Sequence, residues 1–408
     1  MLSKPFKRHY ATILEPLFMK QGNSSSQDNF NLEFELTKDH KYSTGKILSS
    51  MNSEADNSAR DIFIQHLDKN LGDPALFPGT QNIERKAIEI LGRLIDLPKT
   101  GTGLILTGGS EANITAIWAI RNFRMKQLEQ TNNLPLEIIA PSSAHVSINK
   151  AADLLGLKLI SIPVTSKYQI DLEKVKASIN SQTIAIIGVA GTTALGTIDP
   201  LLELDAICLK HSLDLHIDAA FGGLVIPFLD NKNDYNLTFQ LKSLRSMTID
   251  IHKMGRMPIP GGGLLWRDKS YASAIEFTLP YLEGQPKQQT LSGTRLGASA
   301  IAFSYRWQKM GFEGFKSEIS QCISNTRFLA DELINRNFQI PIEPVINILG
   351  VKTPEDSLIT QNEFHKKLWK LGWTTTIVNG FLRFVIMPST TKNHLKNLLK
   401  SIDGILHL

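Results

Sequence analysis

Ser246-Met-Thr-Ile-Asp-Ile-His-Lys253-Met-Gly-Arg-Met-Pro-Ile-Pro-Gly-Gly-Gly263 is the stretch from which the rest of the chain can be read. Alternating Met and Ile over Met247 to Ile251 predicts a strand, and Pro258, Pro260 and the triple glycine cannot continue it as strand or helix. Lys253 is thereby delivered from a strand end into a glycine-lined turn, with His252 beside it. An amine placed there becomes nucleophilic when burial and neighbouring cationic groups lower its pKa, which suits condensation with an aldehyde. A strand-end lysine by itself is more often an ordinary surface residue. Its partners elsewhere in the chain decide the matter.

Composition narrows the classes. A chain of 408 residues exceeds one ordinary core and predicts a large domain with a smaller one. With 42% hydrophobic and 20% charged residues it is globular. The net charge of +5 is modest, and Lys392, Lys396 and Lys400 recur at the spacing of a solvated helix face, so no nucleic-acid partner is expected. Cys208 and Cys322 lie far apart without metal-ligand spacing, which fits a reducing cytoplasm and no bound metal. No apolar run reaches the ~18 residues of a membrane helix, so no membrane partner is expected. Met1 to Lys20 is basic, but its apolar runs are short and no small-residue cleavage site follows, which argues against a targeting peptide. Gln21 to Asn31 reads as a polar linker.

Helical spacing of Ile62, Phe63, Leu67 and Leu71 predicts a helix capped near Asp56-Asn-Ser58 and stopped by Gly72-Asp73-Pro74; a second is predicted over Asn82 to Leu97. From Gly103 the pattern changes to short apolar strands alternating with helices. The strands are 103–107, 137–140, 158–163, 183–189, 213–218, 247–251 and 262–266. Seven such strands predict an α/β fold with a mostly parallel sheet, whose ligands bind at the strands' carboxyl ends. A long helix is predicted from Ala298 to Met310, and a hairpin pairs 373–378 with 382–386 around Asn379-Gly380.

Three further features face those strand ends. Gly108-Gly-Ser-Glu-Ala-Asn113 follows the first strand: its glycines permit close backbone approach, and the helix start with the Ser110 hydroxyl suits a phosphate. Asp218 ends the fifth strand, before Ala219-Ala-Phe-Gly-Gly223, and can hold a protonated ring nitrogen. His216 shares its strand face, yet no third metal ligand follows at a familiar spacing. His145 can stack on a planar cofactor. A phosphate cup, an acid for a ring nitrogen, a histidine plate and a lysine for an aldehyde together describe pyridoxal 5′-phosphate (PLP).

These blocks, with Asn70-Leu-Gly-Asp-Pro-Ala-Leu-Phe-Pro-Gly-Thr80, Ala190-Gly-Thr-Thr-Ala-Leu-Gly-Thr-Ile-Asp199, Pro280-Tyr-Leu282 and Ser292-Gly-Thr-Arg295, closely resemble the group II PLP-dependent decarboxylases. Within them the likeness is greatest to the archaeal-type L-tyrosine/L-aspartate decarboxylases, from about Gly45 to the C-terminus. The resemblance implies the fold type I, aspartate-aminotransferase-like architecture in a homodimer with shared active sites. It further implies residues 1–45 as an N-terminal arm and linker, 46–298 as a large PLP-binding domain and 299–408 as a small C-terminal α/β domain. By motif position, Lys253 binds the cofactor aldehyde, Asp218 the pyridine nitrogen, and His145 and Ala220 the two ring faces. Gly109, Ser110 and His252 attend the phosphate, Thr294 reaches it from the partner subunit, and Thr193 approaches the ring oxygen. Arg383 receives the substrate α-carboxylate, and Tyr281, on a loop, supplies a proton.

The implied activity is decarboxylation of an L-amino acid, aspartate to β-alanine or tyrosine to tyramine. Arg256 follows the lysine block as a spare cation and tilts the choice to aspartate. Glutamate or another aromatic amino acid, a carbon–carbon lyase of the sphingosine-phosphate type, and a non-catalytic PLP-fold protein are the alternatives.

Overall fold

The computed structural model describes residues 31–127 and 135–406. The basic opening, and the polar linker up to Phe30, lie outside the described residues. The described residues before Tyr42 are a unit of their own with helix α1 (Leu32–Leu36); Asn31 caps it by accepting the Phe34 N–H at 3.0 Å. From Tyr42 onward the chain is one compact unit.

Two helices lead into the sheet, α2 (Asn57–Gln65) and α3 (Pro78–Leu94). Asp56 caps α2 as its sequence predicts, but the helix stops at Gln65 instead of reaching Leu71. Tertiary pairing overrides the periodicity: the Leu71 N–H donates to the Arg295 carbonyl at 2.8 Å, and Asn70 bridges Leu296. Helix α3 begins four residues before the predicted Asn82, because Pro78 is suited to a first helical turn whose N–H needs no partner.

The main sheet has seven strands: β1 (Thr102–Leu106), β2 (Glu137–Pro141), β3 (Lys158–Ile162), β4 (Thr183–Val189), β5 (Asp214–Asp218), β6 (Leu244–Ile249) and β7 (Gly262–Trp266). Their order is β1-β7-β6-β5-β4-β2-β3. Only β7 runs against its neighbours β1 and β6; the connection 250–261, which carries Lys253, brings the chain back beside β6. Crossovers α4 (Gly109–Gln127), α5 (Val146–Leu155), α6 (Leu172–Ser178) and α7 (Leu201–Lys210) cover the faces. Strands β2, β4, β5 and β7 are buried at every position; burial on both faces explains the apolar run of β4, whereas β5 buries Asp214, His216 and Asp218 alongside Leu215 and Ile217. The carboxyl ends of β1, β4, β5 and β6 share one edge of the sheet.

Beyond β7, helix α8 (Lys269–Ser273) precedes a small hairpin of β8 (Phe277–Thr278) and β9 (Lys287–Gln288). Helix α9 (Ala298–Ile334) is longer than its predicted Met310 end, but it breaks at Gly311, where φ is +61°. A second, antiparallel sheet of β10 (Ile348–Val351), β11 (Thr376–Val378) and β12 (Phe381–Val385) has the order β10-β12-β11. Helices α10 (Gln361–Lys370) and α11 (Lys392–Leu406) accompany it. Asn379 and Gly380 both take positive φ, 50° and 79°, and close the predicted hairpin. Ile47 pairs with Thr374 and the Leu48 carbonyl accepts the Val385 N–H, so the segment before α2 lies along this second sheet and carries Ser49 to β12.

A buried ion pair ties the segment before α9 to α3 and β1. Arg295 donates to the Glu84 carboxylate of α3 and to the Ile105 carbonyl of β1, while the Ile105 N–H donates to Glu84 at 2.8 Å. Glu84→Ala would strand a buried guanidinium, and urea denaturation should show a loss of about 3–5 kcal/mol. Wild-type stability in that variant would contradict the pairing.

Candidate active site

At the shared carboxyl edge the chain encloses a cavity of about 410 Å³. Its wall includes Gly109, Ser110, His145, Thr193, Asp218, Ala220, His252, Lys253 and Arg383, drawn from the ends of β1, β2, β4, β5 and β6 and from β12. Lys253 enters from the β6–β7 turn, where Ser53 and the Arg256 N–H donate to its carbonyl.

The Lys253 Nζ lies 2.9 Å from Asp250 Oδ2, and Asp250 Oδ1 is buried without a hydrogen-bond partner among the described residues. His252 takes the Gly261 N–H on Nδ1 at 3.1 Å, which leaves any proton of the neutral ring on Nε2. Burial lowers the His252 pKa against the opposing pull of Asp250. Asp218 accepts from the Ala220 N–H at 3.1 Å on one oxygen and from Asn113 Nδ2 at 2.9 Å on the other. His145 caps α5, with Nδ1 accepting from the Ser147 N–H at 3.2 Å; burial lowers its pKa although Asp218 raises it. A neutral imidazole is the form suited to lying flat on a heteroaromatic ring.

Arg383 is 6% exposed. Its guanidinium donates to the Thr193 carbonyl at 2.8 Å and to the Ser49 carbonyl, while Nε has no partner. It has no carboxylate partner among the described residues, and burial lowers its pKa. A desolvated cation held by two carbonyls at a cavity wall is a ready receptor for an incoming carboxylate.

Three predicted residues lie elsewhere. Tyr281 is 76% exposed on the loop between β8 and β9. Thr294 lines a separate concavity with Lys69 and Leu296. Arg256 corrects the expectation of a spare cation: its guanidinium is spent on Glu318 Oε1 at 2.8 Å and the Glu54 carbonyl at 3.3 Å, outside the cavity wall. The same Glu318 binds fully buried Arg306 at 2.5 Å, and Arg256 itself adopts φ +55°. The sequence reading assigned no role to Asp250, Asn113 or Asn52, which also line the cavity. Asp250 and Asn113 stand inside quoted motif blocks, and that was the available signal. His216 has both ring nitrogens occupied, by Ser246 and Asn113.

The cavity fits PLP. Asn52 Oδ1, Ser143 Oγ, Asp250 Oδ1 and Arg383 Nε are buried, unpartnered groups of its wall, which calls for a polar occupant. A Cβ on Gly109 would come within 2.9 Å of Asp250 and 3.0 Å of Ala220 Cβ, so the helix start is kept bare where a phosphate would meet its free amides. Gly109, Ser110 and His252 would hold the phosphate, Asp218 the ring nitrogen and Lys253 the aldehyde.

Fold and site together define a PLP-dependent enzyme of fold type I. Residues 33–351 match the pyridoxal-dependent decarboxylase conserved domain, and the chain belongs to that family. It is 41% identical over 368 residues to a "Probable L-tyrosine/L-aspartate decarboxylase" of Methanothermobacter thermautotrophicus, covering 89% of this chain and 98% of that protein. It is 39% identical to an "L-aspartate/L-glutamate decarboxylase" of Pyrococcus horikoshii, covering 90% and 94% respectively. Among solved structures, the Lactobacillus brevis glutamate decarboxylase matches with a TM-score of 0.85 at 21% identity, over 96% of this chain and 95% of that one, a likeness of fold. The chain is therefore a carboxy-lyase that works with PLP. No helix among the described residues is long and apolar enough to cross a membrane.

Burial pushes the His216 pKa from its ordinary 6.5 down to about 4. The unfolded chain then binds the proton more readily, so this contribution to stability is present above about pH 6.5 and lost as pH falls towards 4. Urea midpoints measured across that window should fall for the wild type and less steeply for His216→Gln. Equal slopes would contradict a neutral buried imidazole.

Proposed function

We propose that the protein decarboxylates L-aspartate to β-alanine, with L-tyrosine the competing substrate. The observation that carries the amino-acid part of this reading is Arg383, a buried guanidinium at the cavity wall with no acid partner among the described residues. It would take the α-carboxylate. The neutral polar groups of Asn52, Ser143 and Thr193 support a short, polar substrate side chain, in place of the withdrawn Arg256. The names of the curated relatives, each of which includes aspartate, support the same choice.

When bound, PLP supplies a protonated ring that takes up the electron pair of the breaking Cα–carboxylate bond. Asp218 would meet the ring nitrogen, and its two N–H donors fix its direction. His145 and Ala220 would hold the ring plane. Lys253 would hold the cofactor aldehyde, and Asp250 Oδ2 lies 2.9 Å from its Nζ and fixes the direction of that amine. A water-poor site favours loss of the charged carboxylate. The Tyr281 phenol, on a loop able to close, would protonate Cα, and Thr294 would serve the phosphate of a partner subunit in a homodimer. Buried, unpaired Cys208 and Cys322 support a reducing cytoplasm.

Incubating the purified protein and PLP with each of the twenty amino acids and identifying any amine tests the substrate. β-Alanine as the main product is expected; tyramine alone would overturn the choice of aspartate. Arg383→Lys loses the planar fork, so its KM should rise roughly ten- to hundredfold, the equivalent of about 1.5–3 kcal/mol. An unchanged KM would remove Arg383 from the substrate site.

A further inference from the structure

Behind the cavity a chain of buried side chains, Ser246, His216, Asn113 and Ser147, runs from β6 to the two groups that would hold the cofactor ring, buried Asp218 and the more exposed His145. Ser246 Oγ is 2.8 Å from His216 Nδ1, and His216 Nε2 is 3.0 Å from Asn113 Oδ1. Asn113 Nδ2 is 2.9 Å from both Asp218 Oδ2 and Ser147 Oγ. Ser147 Oγ is in turn 3.0 Å from His145 Nδ1.

We propose that Asn113 is a positioning residue that locks Asp218 and His145 to one another, through a hydrogen-bond chain whose direction is fixed from Ser246 onward. This rests on the reading of the cavity as a PLP site.

Chemistry dictates the direction. Both oxygens of Asp218 accept from N–H groups, so the Asn113 atom facing it must be the amide nitrogen. Its oxygen then faces His216 Nε2, which must carry the ring proton. His216 Nδ1 is left as acceptor and the Ser246 hydroxyl as donor. The second hydrogen of Asn113 Nδ2 goes to Ser147 Oγ, whose own hydrogen turns to His145 Nδ1. Only a carboxamide offers two donors on one side and an acceptor on the other. Turning it over would face an oxygen to a carboxylate and a nitrogen to an N–H. The acid for the ring nitrogen and the plate for the ring face are thus oriented by one side chain. Asn113 also lies one helical turn beyond Gly109, so the helix start that would meet the phosphate and the amide that aims the ring groups belong to one rigid element.

The test uses purified holoenzyme with 15N-labelled histidine. In the wild type, His216 should show the Nε2–H tautomer, and its signal should not titrate between about pH 5.5 and 8. In Asn113→Ala that tautomer should be lost, the His145 signals should shift, and PLP should leave on dilution roughly ten- to hundredfold faster, the scale on which a residue orienting a primary ligand acts. If Asn113→Ala does not fold, Ser246→Ala is read by the same two observables, with a shifted His216 signal and faster PLP release expected. PLP release at the wild-type rate overturns the proposal, as do unchanged His216 and His145 signals, and so does a lowered melting temperature with neither effect. A wild-type protein that holds no PLP at all would overturn the cofactor reading, while the tautomer measurement would still judge the chain itself.

Discussion

Side-chain-free contact between two turns is the constraint on which the site depends. Gly108 and Gly109, at the end of β1, press against the β6–β7 turn: a Cβ on Gly108 would sit 2.8 Å from His252 Cε1, and one on Gly262 2.6 Å from Gly108 Cα. A Cβ at Gly262 would collide with backbone, and one at Gly108 would force His252 to move. These contacts bring the free amides of the α4 start beside His252 and Lys253 without a side chain between. The same connection, residues 250–261, returns the chain antiparallel as β7 beside β6.

The substrate end is organised by a different economy. Arg383 gives up solvent for two backbone carbonyls and keeps its buried Nε–H unspent. One carbonyl belongs to Thr193 after β4 and the other to Ser49, which lies against the second sheet through Ile47 and Leu48. A charge so prepared costs stability in the empty protein, and a carboxylate ligand restores the balance. That is a reason for retaining it at a cavity wall.

Much of this was legible in the sequence, for physical reasons. Strands such as β4 were readable because burial on both faces demands continuous apolar runs, and the strand ends located Lys253, Asp218 and His145 at one edge. Helix ends were less so: α2 stops short because Asn70 and Leu71 pair with a segment more than two hundred residues away, which no local periodicity records. Arg256 misled because nearness in sequence to Lys253 is not nearness in the cavity. Its left-handed backbone turns it towards Glu318 on α9. Asn113 was passed over because its value lies in joining α4, α5 and β5, a relation that exists only once they are packed.

The central claim is that Lys253 is the residue that binds the cofactor aldehyde at this site. Reducing the purified holoenzyme with borohydride and mapping its peptides by mass spectrometry tests it most directly. The account predicts one phosphopyridoxyl group per chain, on Lys253, and none in Lys253→Ala; a label on another lysine, or an equal label in that variant, would contradict it.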